Sequence, residues 1–201
     1  MKFVIVTGMS GAGRSTAMKM MEDIGYFCID NLPIQLLDKL IDFSNSFHSD
    51  ITKVAVGIDV RNGSGFEDIP NTLKALKAKK FPYEILFLDA EDEVLVKRYK
   101  ETRRSHPLAG AERINTGIAL ERKKMEFLKS NADYIIDTSQ LLTRELKTEL
   151  EKIFVDDQDY KNLFITILSF GFKYGIPSDS DIVMDVRFLP NPYYIEGLRA
   201  K

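Results

Sequence analysis

The stretch Gly8-Met-Ser-Gly-Ala-Gly-Arg-Ser15 decides the fold of this chain. It matches the pattern G-x-x-x-x-G-[K]-[ST] at every defined position except one, because Arg14 stands where lysine is expected. The apolar run Phe3-Val-Ile-Val6 precedes it, and apolar residues at helical spacing follow it from Ser15 to Ile24. A strand, a glycine-rich loop and a helix in this order predict a phosphate-binding P-loop.

The predicted loop supplies the groups that bind a nucleoside triphosphate. Glycines let the backbone wrap a phosphate with its N–H groups pointing inward, and the helix N-terminus adds partial positive charge. The Ser15 hydroxyl is a candidate ligand of Mg²⁺. A turn that merely joins strand to helix is the alternative, and the coincidence of glycines, cation and hydroxyl disfavours it. The predicted nucleotide contacts are Gly8, Met9, Ser10, Gly11, Ala12, Gly13, Arg14 and Ser15.

Arginine at position 14 changes the expected chemistry. Its guanidinium is permanently charged and forks onto phosphate oxygens, so nucleotide binding survives the exchange. It does not replace a compact ammonium between the β- and γ-phosphates. We therefore predict that Arg14 impairs hydrolysis more than binding.

Apolar runs alternate with helical patterns up to about residue 155, which is typical of βαβ units and a parallel sheet. The predicted strands are Phe3–Val6, Tyr26–Ile29, Val54–Ile58, Glu84–Leu88 and Tyr134–Ile136. The predicted helices are Ser15–Ile24, one from Pro33, Ile69–Lys79, Glu91–Arg103, Gly117–Asn131 and Thr143–Phe154, with a glycine-rich loop at Asn62–Gly65. The fold class is α/β, a P-loop NTPase-type parallel sheet with helices on both faces.

A change of pattern after residue 155 predicts two domains. Residues 1–155 form the nucleotide-binding domain, and a polar hinge follows at 156–159. Two further strands are predicted at Phe164–Phe172 and Ile182–Phe188. Because two strands alone are marginal in water, we expect 156–201 to be the beginning of an incomplete C-terminal domain or an extension that pairs with another chain.

Aspartates close four predicted strands, and the carboxyl ends of parallel strands form the ligand crevice of such a sheet. One of these carboxylates should hold Mg²⁺, directly or through water. Asp59 and Asp89 are both preceded by apolar strands and are the better candidates, so the predicted metal ligands are Ser15, Asp59 and Asp89. The alternative is that each aspartate only caps the next helix. The four are Asp30, Asp59, Asp89 and Asp137.

Two polar segments are further candidates for nucleotide contact. Asp59-Val60-Arg61-Asn62 lies beside the glycine-rich loop and is predicted to touch base, ribose or phosphate, with solvated loop residues as the alternative. Arg98, Arg103 and Arg104 are candidates for an arginine lid over the triphosphate. A solvated helix face with ordinary ion pairs is the alternative for these arginines.

Composition limits the remaining function classes. The formal net charge of −2 gives no global attraction to nucleic acid or anionic membrane. The one cysteine, Cys28, excludes an intramolecular disulfide, fits a reducing cytoplasm and lies in an apolar strand, where a core role is favoured over catalysis. No apolar stretch reaches the roughly 20 residues of a membrane helix, so we expect no membrane partner.

Several long blocks resemble the RapZ/YvcJ family of bacterial P-loop nucleotide-binding proteins, and the likeness covers the whole chain. The resemblance implies ATP binding at Gly8–Ser15, GTP recognition through Asp59–Asn62, and weak nucleotide hydrolysis. Enterobacterial members of this family are RNase adapters that bind small RNAs and control amino-sugar synthesis, so the resemblance implies a regulatory role of this kind. The blocks are the P-loop, Glu22–Pro33, Ile58–Asn62, Leu86–Ala90, Arg98–Tyr99, Thr102–Leu108, Ser169–Pro177 and Asp185–Pro192.

Two departures from the family pattern limit what carries over. Arg14 replaces the usual lysine, and the family's C-terminal domain, which is tied to RNA binding, has barely begun where the chain ends. We therefore predict an ATP- and GTP-binding regulatory protein, at most a weak Mg²⁺-dependent NTPase. Small RNA or protein partners would depend on the C-terminal domain. A small-molecule kinase is the alternative, and the oligomeric state stays open.

Overall fold

The structure, a computed structural model, describes residues 2–37, 39–41, 52–103, 105–110, 112–155, 167–171, 173, 175–177, 180, 182–189, 194 and 197. The side chains of residues 61–64 are outside this description, as is the predicted hinge at 156–159. The chain divides into two compact units, Met1–Tyr160 and Lys161–Lys201. Each unit is described by itself.

Five parallel strands form the sheet of the first unit. They are β1 (Lys2–Gly8), β2 (Phe27–Ile29), β3 (Lys53–Gly57), β4 (Glu84–Asp89) and β5 (Tyr134–Asp137). Their order is β2-β3-β1-β4-β5, so β1 lies at the centre and pairs with both β3 and β4. Every pairing is parallel, which confirms the predicted α/β fold.

Helices connect the strands and cover the sheet. They are α1 (Arg14–Asp23), α2 (Ile69–Ala78), α3 (Asp92–Thr102), α4 (Ile114–Ser130) and α5 (Thr143–Phe154), with 3₁₀ helices at Ile34–Leu36 and Val60–Asp68. Contacts join α1 to α5 and α3 to α4. The chain runs from β1 outward to β2 and then back across the sheet to β5, so the right-handed rule for crossovers predicts helices on both faces.

The core explains why β1 reads as a continuous apolar run. Every residue from Phe3 to Gly8 is buried, because neighbours flank the strand and helices cover both faces. β4 is buried in the same way from Ile85 to Asp89. These two strands bring Gly8 beside Leu88, and so fix where the P-loop begins.

Two elements differ from the sequence prediction. The expected glycine-rich loop at Asn62–Gly65 lies inside the 3₁₀ helix Val60–Asp68. Val60 and Phe66 are buried in the core, and their burial holds a helical backbone across glycines that composition assigns to a loop. The helix predicted from Gly117 begins earlier, at Ile114, which packs against the core.

The predicted strands of the second unit are wrong for the part that the structure describes. Residues 167–171 and 182–189 carry no strand pairing, and their apolar side chains are largely exposed, among them Ile167, Ile182 and Phe188. Strand propensity alone does not form a sheet when the side chains have no apolar surface to cover.

Among the described helices, each is too short or too polar to cross a membrane.

Candidate nucleotide-binding site

A cavity of about 470 Å³ opens at the carboxyl end of β1. The whole predicted P-loop and Thr16 line it, together with Asp59 from the segment after β3. The remaining lining residues come from α3, from the segment after β5 and from α5. They are Arg98, Tyr99, Glu101, Thr102, Thr138, Leu141, Leu142, Thr143 and Leu146.

Two glycines give the loop its shape. Gly8 has a φ of +142°, and a Cβ there would lie 2.1 Å from the Leu88 carbonyl oxygen of the neighbouring strand. Gly13 has a φ of 101° and is the N-cap of α1 in the left-handed conformation. L side chains rarely adopt these backbone angles, so both positions require glycine.

The N-terminus of α1 presents backbone donors to the cavity. Ala17 N–H donates to the Gly13 carbonyl at 2.9 Å and so closes the first turn of the helix. As the N-cap, Gly13 has no side chain to cap the first N–H groups of α1, which a helix leaves without intrahelical partners. Arg14, Ser15 and Thr16 carry those groups and line the cavity, an arrangement typical of anion sites.

The Arg14 guanidinium contacts protein carboxylates. Its Nη2 lies 2.8 Å from Asp59 Oδ2 and 3.4 Å from Asp30 Oδ1. Its Nη1 donates to the Ile58 carbonyl oxygen at 3.0 Å. Its Nε is buried and finds no hydrogen-bond partner among the described residues. The cation of the motif therefore bridges the carboxyl ends of β2 and β3.

The strand-end aspartates occupy different surroundings. Asp59 is buried, lines the cavity with Ser15, and pairs with Arg14. Asp89 accepts hydrogen bonds from Lys129 Nζ at 2.6 Å and from Arg122 Nη1 at 3.0 Å. It is not among the described residues that line the cavity. Burial alone would raise the Asp89 pKa, but the bonds from Lys129, the Ala90 N–H and Arg122 lower it overall.

The other two strand-end aspartates have smaller roles. Asp137 Oδ1 accepts the Ser139 N–H at 2.8 Å in a local turn, and it does not cap the next helix, whose N-cap is Leu142. Asp30 Oδ1 accepts the Asn31 N–H at 2.8 Å and also faces Arg14. The structure thus brings Asp30 and Asp59 together around one arginine.

Arg98 anchors the P-loop. Its Nη1 donates to the Gly11 carbonyl at 3.1 Å, and its Nη2 donates to the Thr138 carbonyl at 2.6 Å. The buried Thr138 hydroxyl in turn donates to the Ala12 carbonyl at 2.9 Å. Arg98 lines the cavity from these fixed contacts, and Thr138 was not identified from the sequence. Its only sequence signal is its place directly after a strand-end aspartate.

An apolar wall closes one side of the cavity. Leu141, Leu142 and Leu146 form it, and the Leu142 side chain is exposed. These residues belong to the segment after β5 and to α5, which the sequence analysis left without a role. The segment 60–62 differs: Val60 is buried in the core, and the side chains of Arg61 and Asn62 lie outside the described residues. Arg104 of the predicted lid also lies outside them.

Comparison with known proteins agrees with this geometry. A family model for the RapZ-like N-terminal domain matches residues 1–158, and one for the RapZ C-terminal domain matches residues 163–201. A nucleotide-binding protein of Agathobacter rectalis is 85% identical over all of this chain and 69% of its own length. One from Lachnoclostridium phytofermentans is 59% identical over all of this chain and 70% of its own length.

Similarity to solved structures concerns the fold alone. A shikimate kinase from Acinetobacter baumannii, in complex with shikimate, superimposes with a TM-score of 0.51 at 17% identity, over 79% of this chain and 95% of that one. The shared element is the α/β architecture. Because the N-terminal model covers the P-loop and its cavity, and the C-terminal model covers the rest of the match, the chain belongs to the RapZ family of nucleotide-binding proteins.

Proposed function

We propose that this protein binds ATP and GTP with Mg²⁺ in the P-loop cavity and acts as a regulatory nucleotide-binding protein with at most slow hydrolysis. The backbone of Gly8–Ser15 is the observation that carries the proposal. It encloses the cavity, places the open N-terminus of α1 at its wall, and requires glycine where the chain turns most sharply. These features are what a triphosphate needs.

The donor set at the cavity suits Mg²⁺. Ser15 supplies a hydroxyl and Asp59 a carboxylate, and Mg²⁺ binds such oxygen ligands with one or two carboxylates and the substrate phosphates. The described residues contain no cluster of three or more acidic, histidine or cysteine ligands, so a nucleotide would have to complete the coordination. Asp89 stays a predicted ligand whose role requires release from Arg122 and Lys129.

The position of Arg14 supports slow hydrolysis. A cation accelerates phosphoryl transfer when it lies on the oxygens where charge develops. Here the guanidinium is paired with Asp59 and Asp30 and donates to Ile58. Turning it toward phosphate breaks those contacts, so part of its attraction is offset. The kinase alternative has no support beyond the shared fold.

The apolar wall supports contact with the nucleotide base. Leu141, Leu142 and Leu146 line the same cavity as the P-loop, and a purine ring offers a matching apolar face. This surface does not distinguish adenine from guanine, which agrees with binding of both nucleotides. Base preference would come from the segment Asp59–Asn62, as the family resemblance implies.

RNA or regulatory protein partners form the outer part of this proposal. They would act through the C-terminal segment, where exposed apolar side chains such as Ile182 and Phe188 leave surface for contacts. The proposal includes a reducing cytoplasmic location, because a single cysteine suits a reducing compartment and the cytoplasm supplies nucleotides.

Titration calorimetry with Ser15→Ala tests the metal-dependent nucleotide site. ATP and GTP are titrated into the wild-type protein and the variant, in EDTA and in Mg²⁺. Loss of a metal ligand should weaken binding by about tenfold in Mg²⁺ and by much less in EDTA. Equal losses in both conditions would remove the metal role of Ser15, and absence of binding to the wild-type protein would refute the proposed function.

A further inference from the structure

A carboxylate lies buried beneath the P-loop. Glu121 belongs to the apolar stripe of α4, between Ile118 and Met125, and is 0% exposed. Its Oε1 accepts the Ser10 N–H at 3.1 Å and the Ser10 hydroxyl at 2.6 Å. One buried side chain thus binds both the backbone N–H and the hydroxyl of a residue that lines the nucleotide cavity.

His106 holds the other oxygen of this carboxylate. Its Nε2 lies 2.9 Å from Glu121 Oε2, and its Nδ1 accepts the Leu108 N–H at 3.1 Å. Because Nδ1 is an acceptor, Nε2 carries the proton and donates it to Glu121. Glu121 therefore binds three groups through its two oxygens, namely the Ser10 N–H, the Ser10 hydroxyl and the His106 ring.

His106 is buried and packed against α4 and Tyr99. A Cβ on Gly117 would lie 2.5 Å from His106 Nδ1, so the imidazole rests against bare backbone of α4. The Tyr99 ring covers its other side at a centroid distance of 5.1 Å. A Cβ on Gly11 of the P-loop would lie 3.5 Å from Tyr99 in turn. The pair and the loop therefore form one packed layer.

Folding stability does not explain why the Glu121 carboxyl group lies at this buried position. Burial raises the pKa of the Glu121 carboxyl, against the opposing bonds from Ser10 and His106. A folded-state pKa above the ordinary value means that the stability from this group is lost as pH rises through that pKa. An apolar residue would continue the stripe of Ile118, Met125 and Leu128 without that penalty.

We infer that Glu121, held by His106, is a positioning residue that sets the phosphate-binding conformation of the P-loop through the backbone N–H and the hydroxyl of Ser10. The inference rests on the proposed nucleotide binding for its consequence. The Ser10 N–H is bound to Glu121 on α4, and the loop residues after it, Gly11 to Ser15, line the cavity. With this tie removed, Ser10 loses two partners at once, and the loop that follows is free to adopt other conformations.

Two variants of the full chain test the inference, with a matched control. Glu121→Gln removes the carboxyl group and one acceptor, and Ser10→Ala removes only the hydroxyl bond without entering the core. Glu126→Gln makes the same chemical change at an exposed position of the same helix. Each protein is titrated with Mg²⁺-ATP, its melting temperature is measured, and amide hydrogen exchange at position 10 is followed by NMR without nucleotide.

Glu121→Gln should weaken Mg²⁺-ATP binding by about tenfold or more at a temperature where it is fully folded. Ser10→Ala should lose about threefold to tenfold, and adding it to Glu121→Gln should change affinity by less than about twofold, since both act through one contact. Exchange of the Ser10 amide should accelerate in Glu121→Gln and stay at the wild-type rate in Glu126→Gln.

Three outcomes would decide against the inference or separate it from the proposed function. Wild-type affinity in Glu121→Gln, with only a lower melting temperature, would make the residue merely structural and overturn the inference. If Glu121→Gln does not fold, wild-type affinity in Ser10→Ala would overturn it. If the wild-type protein binds no nucleotide, the proposed function fails alone, and an unchanged Ser10 exchange rate would then overturn the inference as well.

Discussion

Arg14 and Asp59 form an ion pair at the mouth of the P-loop, with Arg14 Nη2 2.8 Å from Asp59 Oδ2. The side chains are 14% and 8% exposed, so the contact is only weakly screened by water. Arg14 is the cation of the motif, and Asp59 is the carboxylate proposed to face Mg²⁺. Neither side chain is free to contact a nucleotide or its metal while it holds the other, so we expect phosphate and metal binding to be coupled through this pair.

Asp59→Asn should have opposite effects with and without metal. In EDTA it removes the nearer of the two carboxylates that compete for Arg14, and with it a negative charge beside the phosphates, so ATP affinity should rise by about threefold to tenfold. In Mg²⁺ it removes a metal ligand, so affinity should fall below the wild-type value. Calorimetric titration in both buffers measures the two signs. Asp137→Asn, at a strand end with a local turn contact, is the control and should change neither. A change of one sign in both buffers contradicts the coupling.

Arg14→Lys should restore chemistry more than binding. An ammonium lacks the guanidinium fork that reaches Asp59, Asp30 and Ile58, so the charge is less firmly held at the strand ends. We expect nucleotide affinity to stay within about tenfold, roughly 1.4 kcal/mol, and single-turnover hydrolysis to rise by a larger factor. Arg14→Ala should lose affinity. If the lysine variant hydrolyses no faster than the wild-type protein, Arg14 does not limit turnover.

Leu142→Ser should distinguish contacts with the nucleotide base from contacts with its phosphates. The side chain is 54% exposed on the apolar wall, so its removal should leave folding stability nearly unchanged. ATP affinity should fall by about threefold to tenfold as apolar contact with the base is lost. Inorganic triphosphate has no base and should bind both proteins equally. Equal losses for ATP and triphosphate would place the effect on the P-loop instead.

Cys28 should be a slow nucleophile. Burial, and then the charges of Glu22 and Asp30, raise the pKa of its thiol to about 12 from 9.0. At about pH 8 this lowers the thiolate fraction by about three orders of magnitude. Iodoacetamide labelling of the folded protein, followed by mass spectrometry, should be at least about a hundredfold slower than labelling in denaturant. Comparable rates would contradict the raised pKa.

Asp89→Asn should destabilise the fold in a pH-dependent way. The folded-state pKa of Asp89 is lowered from 3.8, so its stabilising effect is present above about pH 3.8 and is lost as pH falls through the lower folded value. At neutral pH the variant should lose roughly 1–3 kcal/mol, because Arg122 and Lys129 lose their carboxylate while remaining partly in solvent. Denaturant unfolding across pH measures the difference, which should shrink in acid. A loss that stays constant with pH would assign it to packing.

The fold was predictable because β1 and β4 are covered on both faces and therefore read as unbroken apolar runs. The order of strand, glycine-rich loop and helix around Gly8 then predicted a P-loop type of parallel sheet. The segment Val60–Asp68 was not predictable as a 3₁₀ helix, since burial of Val60 and Phe66 is a tertiary effect that outweighs local glycine content.

The site was predictable where backbone conformation decides the residue, as at Gly8 and Gly13. It was not predictable where a long side chain chooses between partners. The motif identifies Arg14 and its position, but the distance of its guanidinium from Asp59 depends on a strand far away in sequence. The sequence marks Glu121 only as a lone ionisable residue in the apolar stripe of α4. Its contact with the P-loop depends on tertiary packing, including that of His106 against Gly117, which the sequence does not reveal.

The backbone amides of residues 11–16 offer the most direct test of nucleotide binding on the P-loop. NMR spectra of the ¹⁵N-labelled wild-type protein are recorded while Mg²⁺-ATP and Mg²⁺-GTP are added. The account predicts saturable shifts of these amides with both nucleotides, and with inorganic triphosphate. Saturable binding that leaves residues 11–16 unshifted and moves amides elsewhere would contradict it.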